Sequence, residues 1–281
     1  MSDAGERGSG WRRGRLALAS AASLGMAAIL FRAVRHRAPP HLNSSVWLAL
    51  VALNLAPIVA AAAIWSRALA LQLLARAYWW AQLLFAALIV VTGTADNRVA
   101  ALAAVSAFAL LTAGRIGLDE DSGGRFRPVA FRGTLMLALV LAIADAGSLS
   151  WLGILQTFDE GRLGLILFAP PMIAAVIGLL RLRTWGLLVS VVSNLLLAVL
   201  AGAQLLHLPE ELRRLFIGTA IAQLLIPVPM WVTIIRRRTP LPDRWRRARV
   251  VASTSVILVL ATVCVAGTLA RTIGRVPYVA P

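Results

Sequence analysis

Long apolar runs recur from Leu16 to Ala270, and the charged residues fall mostly in short links between them. A helix that crosses a bilayer needs roughly 17 to 25 mostly apolar residues, because the hydrocarbon is about 30 Å thick and the helix rises 1.5 Å per residue. Nine runs approach that length: 16–31, 46–65, 77–93, 99–114, 134–155, 163–180, 185–206, 215–235 and 250–270. The pattern predicts an all-α, polytopic transmembrane helical bundle of about nine spans. Residues 1–15 form a basic cytoplasmic N-terminus, 16–270 the transmembrane domain and 271–281 a short extracytoplasmic tail. The first and fourth runs are short, so they depend on snorkelling arginines or a locally thinned bilayer. Residues 68–75, apolar but bounded by Arg67 and Arg76, either lie along the surface or extend the third span.

Composition narrows the class. With 59% hydrophobic and only 14% charged residues, the chain has too little polar surface for a soluble domain or a disordered segment. All 28 basic residues are arginine, with no lysine, a bias that points to a high-GC, bacterial coding sequence. The formal charge of +16 does not point to nucleic acid, because the arginines sit in links where a basic excess sets membrane orientation. With the N-terminus inside, nineteen arginines fall on the cytoplasmic side and nine outside. Three of the nine, Arg32, Arg35 and Arg37, run against the rule; omitting the first span would also put the N-terminal arginines outside. The expected location is the bacterial inner (cytoplasmic) membrane, N-terminus cytoplasmic and C-terminus extracytoplasmic. Residues 1–31 read as an uncleaved anchor rather than a signal peptide, since arginines follow at once and no small-x-small site closes the run. Trp11, Trp65, Tyr78, Trp79, Trp80, Trp185 and Trp245 lie beside cytoplasmic arginines, as an aromatic belt would. The one cysteine, Cys264, has no partner in the chain.

Three prolines stand at similar depth above a basic residue: Pro57 ten residues before Arg67, Pro171 ten before Arg181 and Pro227 nine before Arg236. Proline deletes a backbone donor, so these positions predict kinks facing protein or water. The stretches 55–67 (LAPIVAAAAIWSR) and 168–181 (FAPPMIAAVIGLLR) also look alike. A 4+4+1 parallel repeat would produce that likeness; chance matching of Ala, Leu and Pro is the competing explanation.

Asp145 is the only acid inside any of the nine runs. An intramembrane carboxyl costs roughly 2.5 to 3.5 kcal/mol, so it is expected to face the bundle, as a proton or ion site or as a protonated acid bonded to a neighbouring helix. Asn54, Ser190, Ser193, Asn194, Thr219 and Gln223 lie at comparable depth. With Pro57, Pro170 and Pro171 they are candidate ligand-lining residues of a midplane cavity, or interhelical glue worth about 0.6 kcal/mol each. The link 236–249 carries Arg236, Arg237, Arg238, Arg244, Arg246, Arg247 and Arg249, a contact for anionic lipid headgroups or for an acidic protein partner. Asp159, Glu160, Glu210 and Glu211 sit beside Arg162, Arg213 and Arg214 as solvated ends.

Enzyme chemistry finds little support. His36 and His41 are five apart across two prolines and His207 stands alone, so no metal site is expected. Ser148 and Ser150 have no intramembrane base, and 121–128 (DSGGRFRP) lacks the lysine and hydroxyl of a phosphate loop. No cofactor is expected. The expected function is transport of a small solute, ion or lipid through a midplane polar site. One alternative is a non-catalytic subunit that anchors a partner complex through the small residues Ala17, Ala21 and Gly25 and the 236–249 link. Another is an intramembrane lipid-modifying enzyme, which lacks the necessary cluster of acids, bases or metal ligands.

Overall fold

The computed structural model describes residues 3–37, 54–66, 68–92, 97–114, 129–160, 165–181, 183–203 and 210–225, with Val228, Ile257, Leu258 and Thr262. Among the described residues all regular structure is helical. Eight α-helices follow one another: α1 (Asp3–Arg37), α2 (Ala56–Ala63), α3 (Leu69–Thr92), α4 (Asn97–Ala113), α5 (Val129–Glu160), α6 (Ala169–Leu180), α7 (Thr184–Gly202) and α8 (Glu210–Leu225). A 3-10 turn, Leu165–Phe168, leads into α6. Two stretches are long and apolar enough to cross a membrane, Gly10–Arg32 in α1 and Trp185–Gly202 in α7. Asn97–Ala113, Leu135–Ser150, Leu165–Leu180 and Phe216–Leu225 are apolar but shorter. Helix length alone therefore does not establish nine spans. The 236–249 link, Pro227 and most of 46–53 and 250–270 lie outside the described residues.

Several local expectations change. The short first run sits inside a continuous 35-residue helix, and residues 69–75 extend the third run as the first turns of α3. Pro57 and the Pro170–Pro171 pair do not kink helices; they occupy the first turns of α2 and α6. There the missing N–H falls among amides that have no intrahelical acceptor anyway, so the proline starts the helix at little cost.

Helices α1 to α4 pack in a ring, α1 on α2 and α4, and α3 on α2 and α4, around Leu16, Met26, Trp79, Leu83 and Leu110. Serines at 20 and 23, one turn apart on α1, tie it to its neighbours. Ser23 Oγ donates to Pro57 O (2.6 Å) and accepts from Trp79 Nε1 (3.1 Å); Ser20 Oγ donates to Ala61 O and accepts from Trp65 Nε1 (2.7 Å). Trp79 is thus an interior residue rather than part of a headgroup belt, whereas Trp11, Trp65 and Trp185 are exposed. At one end of the ring two arginines close α4. Arg15 donates to Thr112 O (2.7 Å) and Leu111 O (3.0 Å), and Arg76 donates to Gly114 O (3.1 Å) and Gln72 O (3.1 Å). The bonds to Leu111, Thr112 and Gly114 satisfy carbonyls that the end of α4 leaves unpaired and put positive charge at its negative pole. Gly114 follows with φ +47°, the left-handed conformation that glycine tolerates best.

The second group, α5 to α8, joins the first mainly through α3 against α5. Its interior has two apolar layers. One holds Leu135, Ala138 and Ala142 of α5 with Leu179, Leu187 and, at its edge, Val191 and Val228. The other holds Leu149, Leu165, Met172, Leu197 and Phe216. Along the chain α5 and α7 run from the first layer to the second, and α6 and α8 run back, so successive helices alternate in direction. The α6–α7 turn is tight because two glycines meet there: a Cβ on Gly186 would lie 2.6 Å from the Gly178 carbonyl carbon. The Arg183 amide closes the turn on Gly178 O at 2.9 Å.

Helix α7 buries a polar patch between Leu187 and Leu197 and turns an apolar face outward. Ser190, Ser193 and Asn194 are buried, while Leu188 (63% exposed), Val192, Leu196 and Val199 (63%) face outward. A surface helix in water shows the opposite arrangement.

Candidate functional site

Between the two apolar layers lies a polar one. Asp145 on α5 falls between Ala144, which packs on the first layer, and Ala146, which packs on the second. On α7, Ser190 and Asn194 lie in the interval between Leu187 and Leu197; on α8, Thr219 and Gln223 follow Phe216. The helical repeat places Ser190 and Asn194 four apart, and Thr219 and Gln223 four apart, so each pair shares one face of its helix.

The bonds run across three helices. Asn194 Nδ2 donates to Gln223 Oε1 (3.0 Å), and Gln223 Nε2 donates to Ser190 Oγ (2.6 Å). The side chains of Asn194 and Thr219 lie beside the Asp145 carboxyl. Asp145 is 3% exposed and Asn194 and Gln223 1% each, so the layer is sealed.

Donors are scarce within it. A carboxylate offers about four acceptor sites and no proton. Of the two N–H groups on Asn194, one is committed to Gln223. The Thr219 hydroxyl carries one proton and lies 3.0 Å from Phe216 O as its donor. The result is that Asp145 Oδ2 and Asn194 Oδ1 are both buried with no hydrogen-bond partner among the described residues. Two unpartnered acceptor oxygens on adjacent buried side chains form a place of negative potential that a proton or a cation would relieve.

The remaining predicted residues lie elsewhere. Asn54 and Pro57 belong to the α1–α4 half, where Asn54 precedes α2 and the Pro57 carbonyl accepts from Ser23. Pro170 is exposed and Pro171 half-buried at the start of α6. Ser193 is buried on α7. Sequence reading missed the buried Arg76, placed among interfacial arginines. Its position inside an apolar helix, four residues after Gln72, was the available signal.

No protein-family model, curated protein or solved structure matches this chain. What the polar layer does must therefore be argued from its own chemistry. Among the described residues no group of three or more His, Cys, Asp or Glu side chains is placed to hold a metal ion.

Proposed function

We propose that the chain is a multi-pass integral membrane protein of the bacterial inner membrane, with about nine spans, that moves a small solute, ion or lipid across the bilayer. Asp145 is its protonatable or ion-holding element, and Asn194, Gln223, Ser190 and Thr219 surround it. The observation that carries this reading is a buried acid short of donors, between apolar layers, packed among helices of which α7 and α8 present apolar residues outward. A purely structural acid in a bundle would be expected to have its oxygens paired. The apolar outward face of α7 and the alternating helix directions support a lipid surround. Charge agrees, because Arg15 and Arg76 gather at one end of the first ring. The packing of α1–α4 and of α5–α8, each in chain order, supports the four-helix repeat with a ninth span added.

The test is transport in proteoliposomes. Vesicles holding the full chain are incubated in a cell metabolite extract with an entrapped pH dye, and internal solutes are identified by mass spectrometry. Asp145-dependent accumulation or proton movement is expected, lost in Asp145→Asn. No flux above protein-free vesicles, or equal flux in the variant, overturns the reading.

One observation favours a second role, anchoring a partner. Ala17, Ala21 and Gly25 share a face of α1 that is exposed, and a Cβ on Gly25 would meet nothing within 4 Å. Close helix approach uses such faces in membranes. Loss of a co-purifying subunit in Gly25→Leu, with the chain itself still monodisperse, would establish it.

A further inference from the structure

Asp145 Oδ2 and Asn194 Oδ1 are unpartnered oxygens on two adjacent side chains, both more than nine-tenths buried, with the Thr219 side chain beside the carboxyl. We propose that this pair, with the Thr219 hydroxyl oxygen, binds one dehydrated monovalent alkali cation, and that protons compete for the same oxygens.

The oxygen set argues for the ion class. Carboxylate, amide and hydroxyl oxygens are hard donors that suit alkali and alkaline-earth cations rather than soft metals. Thr219 presents lone pairs because its proton is directed at Phe216 O. Asn194 keeps its oxygen available because its nitrogen, not its oxygen, is engaged by Gln223. Ser190 in turn fixes Gln223, so the amide orientation is held from two residues away. Charge decides the valence. One carboxylate and one monovalent cation make a neutral site, which can lie between two apolar layers at low cost; a divalent ion would leave a net positive charge there and usually recruits several carboxylates.

Among the described residues, the other titratable groups on the surrounding helices stand at other levels along the chain or are bonded elsewhere. On α3, Arg76 bonds to the Gly114 and Gln72 carbonyls and Tyr78 packs in the α1–α4 core. Arg181 and Arg183 lie in the α6–α7 turn, beyond the first apolar layer. On α8, Glu210, Glu211, Arg213 and Arg214 precede Phe216 of the second layer, and Glu210 pairs with Arg214 in the open. On α5 itself Arg132, Asp159 and Glu160 lie toward the two ends. Asp145 is thus the acid that a bound ion and a proton would share.

This proposal rests on the transport reading for its biological use, but binding can be measured without transport. The full chain in detergent is melted at pH 8.5 in NaCl, KCl or choline chloride at constant ionic strength. Na+ or K+ is expected to raise the melting temperature over choline in a concentration-dependent way, and the more effective ion names the occupant. Lowering the pH by two units is expected to weaken the apparent affinity, as protons take the carboxylate. Asp145→Asn should abolish the response, and Thr219→Val, which keeps the shape, should weaken it. Identical melting in all three salts, or a full response in Asp145→Asn, overturns the site. Cation binding without flux would sink the transport reading alone, and Asp145-dependent flux indifferent to both cations would sink this inference alone.

Discussion

Asn194 and Gln223, 29 residues apart in sequence, meet at 3.0 Å through a side-chain amide bond that joins α7 to α8 inside the polar layer. Each also holds a second polar contact, Asn194 with Asp145 and Gln223 with Ser190. The bond is therefore the middle of a relay that carries order from Ser190 to the acid.

A double-mutant cycle measures that relay. Asn194→Leu and Gln223→Leu are each expected to cost about 1 to 3 kcal/mol, because each strands a buried partner. The double variant should cost less than the two added together, with a coupling of about 0.5 to 2 kcal/mol. Denaturant unfolding of the detergent-solubilised chain gives the numbers; strict additivity would mean that the two amides act independently.

The two-arginine cap makes a graded prediction. Arg76 is buried and Arg15 half-exposed. Arg76→Met should destabilise by about 1 to 3 kcal/mol, and Arg15→Ala by less, because water can reach the carbonyls Arg15 leaves behind. Thermal melts of both variants, compared with wild type, check the ranking.

Backbone contact between Gly178 and Gly186 leaves no room for a methyl group. Gly186→Ala is expected to separate α6 from α7 and cost about 1 to 3 kcal/mol, whereas Gly25→Ala on the open face of α1 should be close to neutral. Expression level and melting temperature together read the contrast.

Spin labels test what surrounds α7. In vesicles, labels at Leu188, Val192 and Val199 should collide freely with oxygen and hardly at all with a water-soluble nickel chelate, the pattern of lipid contact. Labels at these positions that respond to the chelate would show water there instead.

Much of the polar layer was legible in the sequence. Asp145, Ser190, Asn194, Thr219 and Gln223 stand out because polar side chains in long apolar runs are expensive and must face protein. Their meeting was not legible, since it depends on α5, α7 and α8 being neighbours, and apolar runs of similar composition do not say which ones pack together. Asn54 shows this limit: at comparable depth, it belongs to the other group of helices. The prolines show another. Pro57 and Pro171 read as mid-span kinks because a hydropathy run does not mark where hydrogen bonding begins, and both lie in the first turns of their helices. Trp79 was misread because its neighbour Arg76 suggested an interface, while Ser23 supplies the polar partner that lets the indole go inside.

The clamp on α4 also bears on how the chain assembles. Arg15 and Arg76 are both synthesised before Leu111, Thr112 and Gly114, to whose carbonyls they donate. As α4 leaves the ribosome its terminal groups meet acceptor-seeking side chains already in place, so the N-terminal ring is able to close before the acid-bearing half has been made.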